Sequence, residues 1–248
     1  FPHSTVLRLR AVALASLGSL CAAGVLLSYL VFPRAATTVL AIFAPGLTYF
    51  LETAVPAAAL TIDDGPDPQE TPAILDVLRD HDAHATFFLI GSRIPGNEPL
   101  LARMRSEGHE LANHSYDDRM SLCVPSAELA RSLAMTHAAL SPFGAIRWFR
   151  PGSGLFSRPM LKLAREQGYR LALGDVFPLD SGFSSPRFQR WYILQHAQPG
   201  SIIILHDALG RGVRTAAALR AVLPILKDRG FKIVTLTALA SLATEEAL

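Results

Sequence analysis

Short apolar runs alternate with longer amphipathic stretches along the chain beyond about residue 55. Seven of the runs are brief and rich in β-branched or aromatic residues, as buried strands are; they are residues 58–62, 85–90, 110–113, 146–149, 170–173, 202–205 and 232–236. Five stretches between them have apolar residues at the spacing of one helix face; they are residues 71–82, 98–107, 126–140, 158–167 and 215–229. This order predicts an α/β fold with a mainly parallel sheet. The pattern alone does not separate a closed barrel from an open, doubly wound sheet.

Residues that favour helix ends mark the boundaries of these stretches. Thr71 is a candidate N-cap, and Pro72 would then occupy the first helical position. Gly108, Gly168 and Gly230 each come just after a predicted helix, where a residue with positive φ often closes the last turn. The sequence therefore predicts short, well-bounded βα units. It contains no repeat of the length that solenoids or propellers have.

The first part of the chain has a different character. Residues 11–32 carry no charge, and a helix of that length can cross a hydrocarbon core of about 30 Å. We interpret this run as an uncleaved membrane anchor. The alternatives are a secretion signal, whose apolar core is usually shorter at about 7–15 residues, and a buried helix of the domain. Arg8 and Arg10 precede the run and only Arg34 follows it closely, which places the N-terminus in the cytoplasm.

The anchor divides the chain into three parts. An N-terminal segment covers residues 1–34, a connecting segment covers residues 35–54, and a globular domain covers residues 55–248. We expect the domain to be membrane-anchored on the non-cytoplasmic side. If the N-terminal segment is a signal that is cleaved, the domain is secreted instead.

Charge and cysteine content exclude several classes of protein. The chain has 23 Lys and Arg against 21 Asp and Glu, but three of the basic residues lie before the first acidic residue, Glu52. The folded domain therefore has no excess of positive charge, which disfavours a nucleic-acid binder. With only Cys21 and Cys123, neither a disulfide scaffold nor a cysteine-rich zinc module is available. Half of the residues are apolar, which excludes a disordered chain, and no feature indicates an obligate protein partner.

Polar clusters follow five of the predicted strands. In α/β folds the catalytic groups gather where strands run into the loops that follow them. The clusters at those ends are residues 63–66, 113–118, 150–154, 174–180 and 206–207. Five clusters at equivalent positions exceed what a random surface would give, so the sequence predicts one site assembled from them. No Gly-x-Ser-x-Gly elbow or P-loop is present, so a nucleophilic serine and phosphoryl transfer lack support.

Asp64, His114 and Asp118 form a candidate set of three metal ligands. His114 and Asp118 are four residues apart and would share one face of a helical turn. Two carboxylates and an imidazole suit zinc or another divalent ion, with a position left for water. Zinc brings the pKa of its bound water to about 7, which makes hydroxide available at neutral pH. Taken singly, a satisfied buried histidine and a solvated loop carboxylate are the simpler interpretations.

Acid–base chemistry has its own candidates. His206 is a candidate general acid because an imidazole titrates near neutrality. Asp180 would hold the other ring nitrogen of His206, as a carboxylate orients histidine in hydrolase triads. Arg150 would offset the charge of the Asp63-Asp64 pair and fix Asp63 as a base. A purely structural ion pair is the alternative for this arginine.

In order and spacing these motifs resemble those of the polysaccharide deacetylases, the family built on the NodB homology domain. The resemblance runs from about Leu60 to Leu236 and includes residues 83–91. It implies a distorted (β/α) barrel of about seven parallel strands and the metal-dependent removal of acetyl groups from N-acetylated sugars. It also implies that Asp63 is the catalytic base and that Arg150 orients it. His206 would be the catalytic acid, and Asp180 the carboxylate that tunes it. Asp64 and His114 would be metal ligands.

The sequence departs from the family pattern at three positions. Asp118 stands where the family usually has histidine, which adds negative charge and weakens the Lewis acidity of the metal; Asp117 is the alternative ligand. Ser153 lies near the position of a usual aromatic residue, and its backbone N–H would serve the oxyanion. Ser181 stands where a pocket tryptophan is expected after Asp180. The Asp-bearing second motif together with Arg-Pro-Gly-Ser-Gly resembles a subgroup of the family, which favours coordinated variation over decay.

The resemblance implies hydrolysis of the acetamido group in an N-acetylhexosamine polymer such as chitin or peptidoglycan. The expected cofactor is a divalent ion, zinc first and cobalt or another divalent ion as the alternative. An O-acetyl ester or a small cyclic amide is an alternative substrate. A membrane-tethered sugar-binding protein that has lost catalysis through the change at Asp118 is an alternative of another class. The expected partners are an acetylated polysaccharide or oligosaccharide and, through the N-terminal helix, the membrane.

Overall fold

Eight parallel strands form a curled half-barrel in the part of the chain that this computed structural model describes, residues 24, 27, 28, 30–182 and 184–245. The strands are β1 Leu47–Thr48, β2 Ala57–Asp63, β3 Ala85–Leu89, β4 Glu110–Asn113, β5 Trp148–Phe149, β6 Arg170–Ala172, β7 Ile202–His206 and β8 Lys232–Val234. Their order is β1-β6-β5-β4-β3-β2-β7, and β8 pairs with the first residues of β2. The predicted α/β class and parallel sheet are confirmed.

Helices connect and cover these strands. They are α1 Pro33–Phe43, α2 Thr71–Asp80, α3 Glu98–Ser106, α4 Ser126–Leu140, α5 Arg158–Glu166, α6 Pro186–His196, α7 Gly212–Asp228 and α8 Leu236–Glu245. The apolar stripe of α2, which includes Ile74 and Leu78, is fully buried against the sheet. The amphipathic spacing in the sequence therefore describes the packing of this helix correctly.

Strand β2 determines which way the first polar cluster faces. All seven of its residues are buried, and side chains along a strand alternate between its two faces. Leu60 and Ile62 join the core between sheet and helices, whereas Ala59 belongs to the core inside the half-barrel. By the same alternation Thr61 and Asp63 point to the inside. The strand therefore delivers Asp63 to the inner face at its C-terminal end.

Apolar side chains fill the inside of the half-barrel at the end where the strands begin. Trp148 and Ile202, the first residues of β5 and β7, pack with Leu236 and Leu239 of α8, and Phe88 of β3 extends this core toward the other end. These residues are buried, and α8 covers this end of the half-barrel. The polar clusters that follow the strands lie at the opposite end, where the strands finish.

Isolated bridges tie the two edges of the sheet together. Val176, beyond β6, pairs with Ile203 of β7, and Phe50, beyond β1, pairs with Ser201. The backbone N–H of Leu51 also donates to the carbonyl of Gly200 at 2.9 Å. The curled sheet is thus drawn toward a ring, although no continuous ladder joins β1 to β7 in the described part of the chain.

Most of the predicted elements are confirmed, and a few predictions are wrong. All seven predicted strands and all five predicted helices are present, and Gly108, Gly168 and Gly230 have φ values of 83°, 84° and 83° after helix ends. Strand β1 and helices α1, α6 and α8 were not predicted. Thr71 is not the N-cap of α2: Glu70 holds that position, and the Thr71 hydroxyl donates to the carboxylate of Asp207.

The predicted membrane span, residues 11–32, lies mostly outside the residues that the structure describes. Within the described residues no helix has both the length and the apolar character needed to cross a membrane. Helix α1 begins directly after the run, at Pro33. The Arg34 side chain forms a 2.8 Å ion pair with the buried carboxylate of Asp175, next to β6. Part of the segment between run and domain is therefore packed on the half-barrel.

Candidate active site

A buried ion pair joins Asp63 to Arg150 across the half-barrel. The Arg150 Nη1 donates to Asp63 Oδ1 at 2.5 Å and to Thr61 Oγ1 at 2.8 Å. Its Nε and Nη2 donate to the carbonyls of Ala172 and Leu173, and the guanidinium lies 4.1 Å from the centre of the Phe88 ring. The arginine is held from β2, β3 and β6 at once, so it can fix the Asp63 carboxylate in one orientation.

Asp64 and His114 form a second buried pair beside the first. The Nε2 of His114 lies 3.2 Å from Asp64 Oδ1, and its Nδ1 donates to the carbonyl oxygen of Arg150 at 2.8 Å. Burial alone would raise the pKa of Asp64, but His114, His206 and Arg211 outweigh it and lower that pKa. Burial would lower the pKa of His114, yet the hydrogen bond to Asp64 and the charges of both aspartates raise it. Opposite charges thus stabilise the pair.

Asp118 does not join this pair. Its carboxylate is half exposed and accepts from Arg93 Nη2 at 3.0 Å, while Nη1 of the same arginine donates to the backbone carbonyl of Asp64. Asp117 is also half exposed and pairs with Arg119. Among the described residues no three His, Cys, Asp or Glu side chains are grouped as a metal-binding set. The predicted set of three ligands is therefore assembled only in part.

Arg211, in the loop after β7, occupies the other oxygen of Asp64. Its Nη2 lies 2.8 Å from Asp64 Oδ2, and both side chains are largely buried. Glu70, just before α2, binds the backbone N–H groups of Gly210 and Gly212 on either side of this arginine. The loop is thereby fixed, and Arg211 leaves only Oδ1 of Asp64 facing His114.

His206 is held by Asp180 from the loop after β6. The ring Nδ1 donates to Asp180 Oδ1 at 3.0 Å, and the backbone N–H of His206 donates to Oδ2 of the same carboxylate at 2.8 Å. Burial alone would lower the pKa of His206, but the hydrogen bond and charge of Asp180, with the charges of Asp63 and Asp64, raise it to about 9. The imidazolium form therefore prevails at neutral pH, with Nε2 as its remaining donor.

Asp207 supports the loop that carries the aspartate pair. Its backbone N–H donates to the carbonyl of Asp63, and its Oδ2 accepts from the Thr71 hydroxyl at 2.6 Å. A Cβ at position 65 would lie only 2.5 Å from that oxygen, so this close approach requires Gly65. Burial raises the pKa of Asp207 to about 7. This carboxyl group positions the chain rather than facing the inner cavity.

The loops at this end of the sheet contain unusual backbone conformations. Six non-glycine residues in the described part of the chain have positive φ, and five of them lie in loops that follow strands; those five are Asp64, Ser115, Ser153, Leu179 and Leu209. Such conformations are uncommon outside glycine and concentrate at functional sites. Ser153, with a φ of 63°, is exposed in the turn Gly152–Gly154 after β5.

The structure brings Asp63, Asp64, His114, Arg150, Asp180 and His206 into this connected arrangement, whereas Asp118 lies at its rim. Arg93, Arg211 and Glu70 were not predicted from the sequence, and Phe177 was predicted only as a member of the cluster 174–180. The Phe177 ring lies 5.9 Å from the His206 ring. Arg93 and Arg211 also lie in loops that follow strands, so extending the search a few residues beyond each strand would have found them.

Comparison with known proteins agrees with this arrangement. The profile of the polysaccharide deacetylase family matches residues 51–172. A peptidoglycan-N-acetylglucosamine deacetylase from Bacillus cereus is 32% identical over 189 residues, which cover 73% of this chain and 86% of the relative. The chain belongs to the polysaccharide deacetylase family. A chitooligosaccharide deacetylase from Azorhizobium caulinodans is 35% identical, with 70% of this chain and 90% of that relative covered.

Membership of the polysaccharide deacetylase family establishes the class of reaction. The chain is a deacetylase, and thus a hydrolase that acts on carbon–nitrogen bonds other than peptide bonds. The resemblance drawn from the five motifs is confirmed, and so is the prediction that the chain is an enzyme. The matched residues 51–172 contain the aspartate pair, His114, Asp118 and Arg150.

Enzymes of this family use a divalent metal ion. A family 4 acetyl xylan esterase from Clostridium thermocellum was solved in complex with a cobalt ion; it has a TM-score of 0.70 and 29% identity, with 75% of this chain and 91% of that chain covered. The Asp64–His114 pair fits such an ion, because one ring nitrogen of His114 is fixed on a carbonyl and the other faces a carboxylate oxygen.

Proposed function

We propose that this deacetylase removes acetyl groups from the N-acetylated sugars of a polysaccharide such as chitin or peptidoglycan, with the help of a divalent ion, zinc first. The observation that carries the proposal is that two ion pairs of different kinds, one with a carboxylate acceptor and one with a histidine donor, lie at one end of the half-barrel. Asp63 is paired with Arg150, and the protonated His206 is paired with Asp180. The two pairs supply a proton acceptor and a proton donor for amide hydrolysis.

The metal ion would be held by Asp64 Oδ1 and His114 Nε2. We assign the third position to Asp118, which would exchange Arg93 for the ion; Asp117 is the alternative. When bound, the ion would supply Lewis acidity toward the acetyl carbonyl. With two carboxylate ligands the metal site would have less net positive charge than with one. The positive charge of Arg211, which pairs with Asp64, offsets part of this reduction.

The chain's own residues would move the protons. Asp63 accepts a proton from the attacking water, and Arg150 keeps its carboxylate oriented. His206 donates a proton from Nε2 to the leaving nitrogen while Asp180 holds Nδ1. The backbone N–H of Ser153 would donate to the developing oxyanion. The half-buried ring of Phe177, beside His206, would line the acetyl pocket in place of the missing tryptophan.

The base assignment is tested with Asp63→Asn. We expect this change to reduce amine release from chitin oligomers and peptidoglycan by at least about a hundredfold, because the amide cannot accept the proton from water. Elemental analysis should give the same metal content as the unchanged protein. Asp80→Asn, which alters an exposed carboxylate at the end of α2, is the matched control. An unchanged rate in Asp63→Asn would remove the base assignment.

The substrate is tested with a panel of acetylated compounds. Release of amine from N-acetylglucosamine polymers supports N-deacetylation, whereas release of acetate only from acetylated xylan supports an O-acetyl esterase. Hydrolysis of only a small cyclic amide would point to the third substrate class. A protein that holds no stoichiometric divalent ion and turns over none of these compounds would be a sugar-binding relative without catalysis.

The location is a proposal of its own. We propose that residues 11–32 anchor the chain in a membrane, with the deacetylase domain on the non-cytoplasmic side, where polysaccharide substrates would meet it. The charge-free length of that run and the arginines before it support the proposal.

A further inference from the structure

Helix α1 has an outward face without charge, and its one exposed polar residue, Thr38, donates its hydroxyl to the carbonyl of Arg34. Val39, Ile42 and Phe43 on this helix are 54%, 72% and 72% exposed, and Phe32, just before it, is 67% exposed. We call these four residues the α1 face. Large exposed apolar side chains that lie this close together mark an interaction surface in most proteins.

The helix has one charged residue, and that residue is turned inward. Arg34 is the only Asp, Glu, Lys or Arg in residues 33–43. Its guanidinium pairs with the buried Asp175 at 2.8 Å, donates to Ser201 Oγ at 3.1 Å and lies 4.0 Å from the centre of the Phe50 ring. The side of α1 that packs on the half-barrel therefore has the charge, and the side that faces outward is uncharged and mainly apolar. A surface helix in water normally has the opposite arrangement.

Two facts identify what covers the α1 face. The charge-free run of residues 11–32 ends at Phe32, immediately before the helix, so the α1 face begins with the last residue of that charge-free segment. Phe32 and Phe43 lie at its two ends, and aromatic and aliphatic residues are those with which helices enter the boundary between headgroups and acyl chains. A lipid surface meets both conditions.

We infer that the α1 face lies in the surface layer of a lipid bilayer and that the Arg34–Asp175 pair fixes the catalytic domain to it. The domain is then held to the membrane by a packed helix and not by a flexible linker. This inference rests on the proposed membrane location, and it adds a second, shallow contact beside the anchor. It does not depend on the deacetylase reaction.

The experiment uses the full chain reconstituted into phospholipid vesicles, with an environment-sensitive fluorophore on a single cysteine. The test protein has Ile42→Cys with Cys21→Ser and Cys123→Ser. A second protein keeps the native Cys21 and has Cys123→Ser, so that it reports on the anchor itself. A third has Met135→Cys on α4, another exposed apolar position, with both native cysteines replaced. Brominated lipids carry the quencher either near the headgroup or near the bilayer centre.

Position 42 should be quenched more strongly by the shallow bromines than by the deep ones, because an interfacial helix lies about 5–10 Å into the headgroup boundary. Position 135 should not be quenched. If Cys21 is quenched and position 42 is not, the inference is wrong and the anchor stands. If neither is quenched, both proposals are wrong.

Two further results would also overturn the inference. Stronger quenching of position 42 by the deep bromines would mean that α1 continues into the bilayer. Emission at position 42 that changes with protein concentration and is insensitive to brominated lipid would mean that a second copy of the chain covers the face.

Discussion

Asp180 controls the protonation of the proposed acid. Its contact with His206 Nδ1 is the main reason that the pKa of this histidine is raised to about 9 against the effect of burial. A raised pKa keeps the acid form below that value and loses it as pH rises through it. We therefore expect kcat/KM to fall on the alkaline side near pH 9.

Changing Asp180→Asn should move that alkaline limb toward the ordinary histidine pKa of about 6.5, because the carboxylate that stabilises the imidazolium is gone. The pH dependence of amine release measures this shift, and Asp80→Asn is the control that should leave it in place. If the alkaline limb of kcat/KM stays near pH 9 in Asp180→Asn, that limb does not arise from the titration of His206.

Arg211 is expected to position Asp64, the proposed metal ligand. By holding Oδ2 it directs Oδ1 toward His114. Removing such a supporting contact typically costs 10–100-fold in metal affinity, so Arg211→Ala should raise the Kd for zinc by about that factor. Competition with a chromophoric chelator measures the Kd without any turnover.

Arg79→Ala serves as the control for this measurement, since Arg79 pairs with the exposed carboxylates of Asp76 and Asp80 on α2. A Kd that falls in Arg211→Ala would show that the arginine competes with the ion and does not assist it.

The sequence predicts the polar groups of the site better than it predicts their partners. Asp63, Asp64, His114, Arg150 and His206 were found because parallel strands bring their C-terminal ends to one edge. The pairing of Arg211 with Asp64, and of Arg93 with Asp118, depends on how two loops fold toward each other. The spacing of residues along the chain does not contain that information. The four-residue spacing of His114 and Asp118 is misleading for the same reason, because this segment forms a loop and not a helical turn.

At the scale of elements, the Arg34–Asp175 pair attaches α1 to the half-barrel. Asp175 is buried, and burial raises its pKa to about 6 although Arg34 and nearby N–H and O–H donors lower it. Arg34→Ala leaves a buried carboxylate without its cation, which should reduce the free energy of unfolding by about 3 kcal/mol. Denaturant titration of the full chain in detergent micelles measures this.

The double variant Arg34→Ala/Asp175→Asn should recover part of the loss, because it removes the unpaired charge as well. The loss in Arg34→Ala should also be smaller at pH 5 than at pH 7.5. A carboxyl group whose folded pKa is raised favours the folded state at low pH, and that contribution is lost as pH rises through the pKa. Equal losses in both variants and at both pH values would mean that α1 is attached by its apolar contacts alone.

The elements that the sequence predicts are those with strong periodicity. Strand β1 has only two residues, Leu47–Thr48, which is too short for any pattern. Helix α1 lies next to a longer apolar run, so its own boundaries are obscured. Helix α6 mixes aromatic and basic residues, and its buried residues, which include Gln189 and Tyr192, do not form an apolar stripe.

At the scale of the whole molecule, a metal ion bound by Asp64 and His114 would link activity to stability. The pair spans β2 and the loop after β4, so an ion held there favours the folded chain. Treatment with a chelator should abolish amine release and lower the Tm, and added zinc or cobalt should restore both. At 100 times the Kd, the ion contributes about 2.7 kcal/mol to the free energy of unfolding.

Asp64→Asn is the matched variant for this experiment, and its Tm should respond much less to added ion. Activity that survives complete removal of metal, as verified by elemental analysis, would contradict the proposed cofactor.

The overall topology is the level at which the sequence is least informative. Alternating strands and helices are compatible with an open sheet or a ring. The deciding contacts, such as Val176 with Ile203 and Phe50 with Ser201, join residues far apart in the chain and involve backbone groups that any residue has. No side-chain pattern could indicate them.

Arg150 stabilises the half-barrel and also orients the proposed base, Asp63. Because its guanidinium satisfies two carbonyls and a hydroxyl from separate strands, losing it would leave several buried acceptors unpaired. A substitution of Arg150 tested in a living cell would therefore not distinguish the loss of catalysis from the loss of folded protein. Complementation experiments need Asp63→Asn as the catalytically inactive allele. In libraries randomised at position 150, selection will act first on folding and only then on turnover.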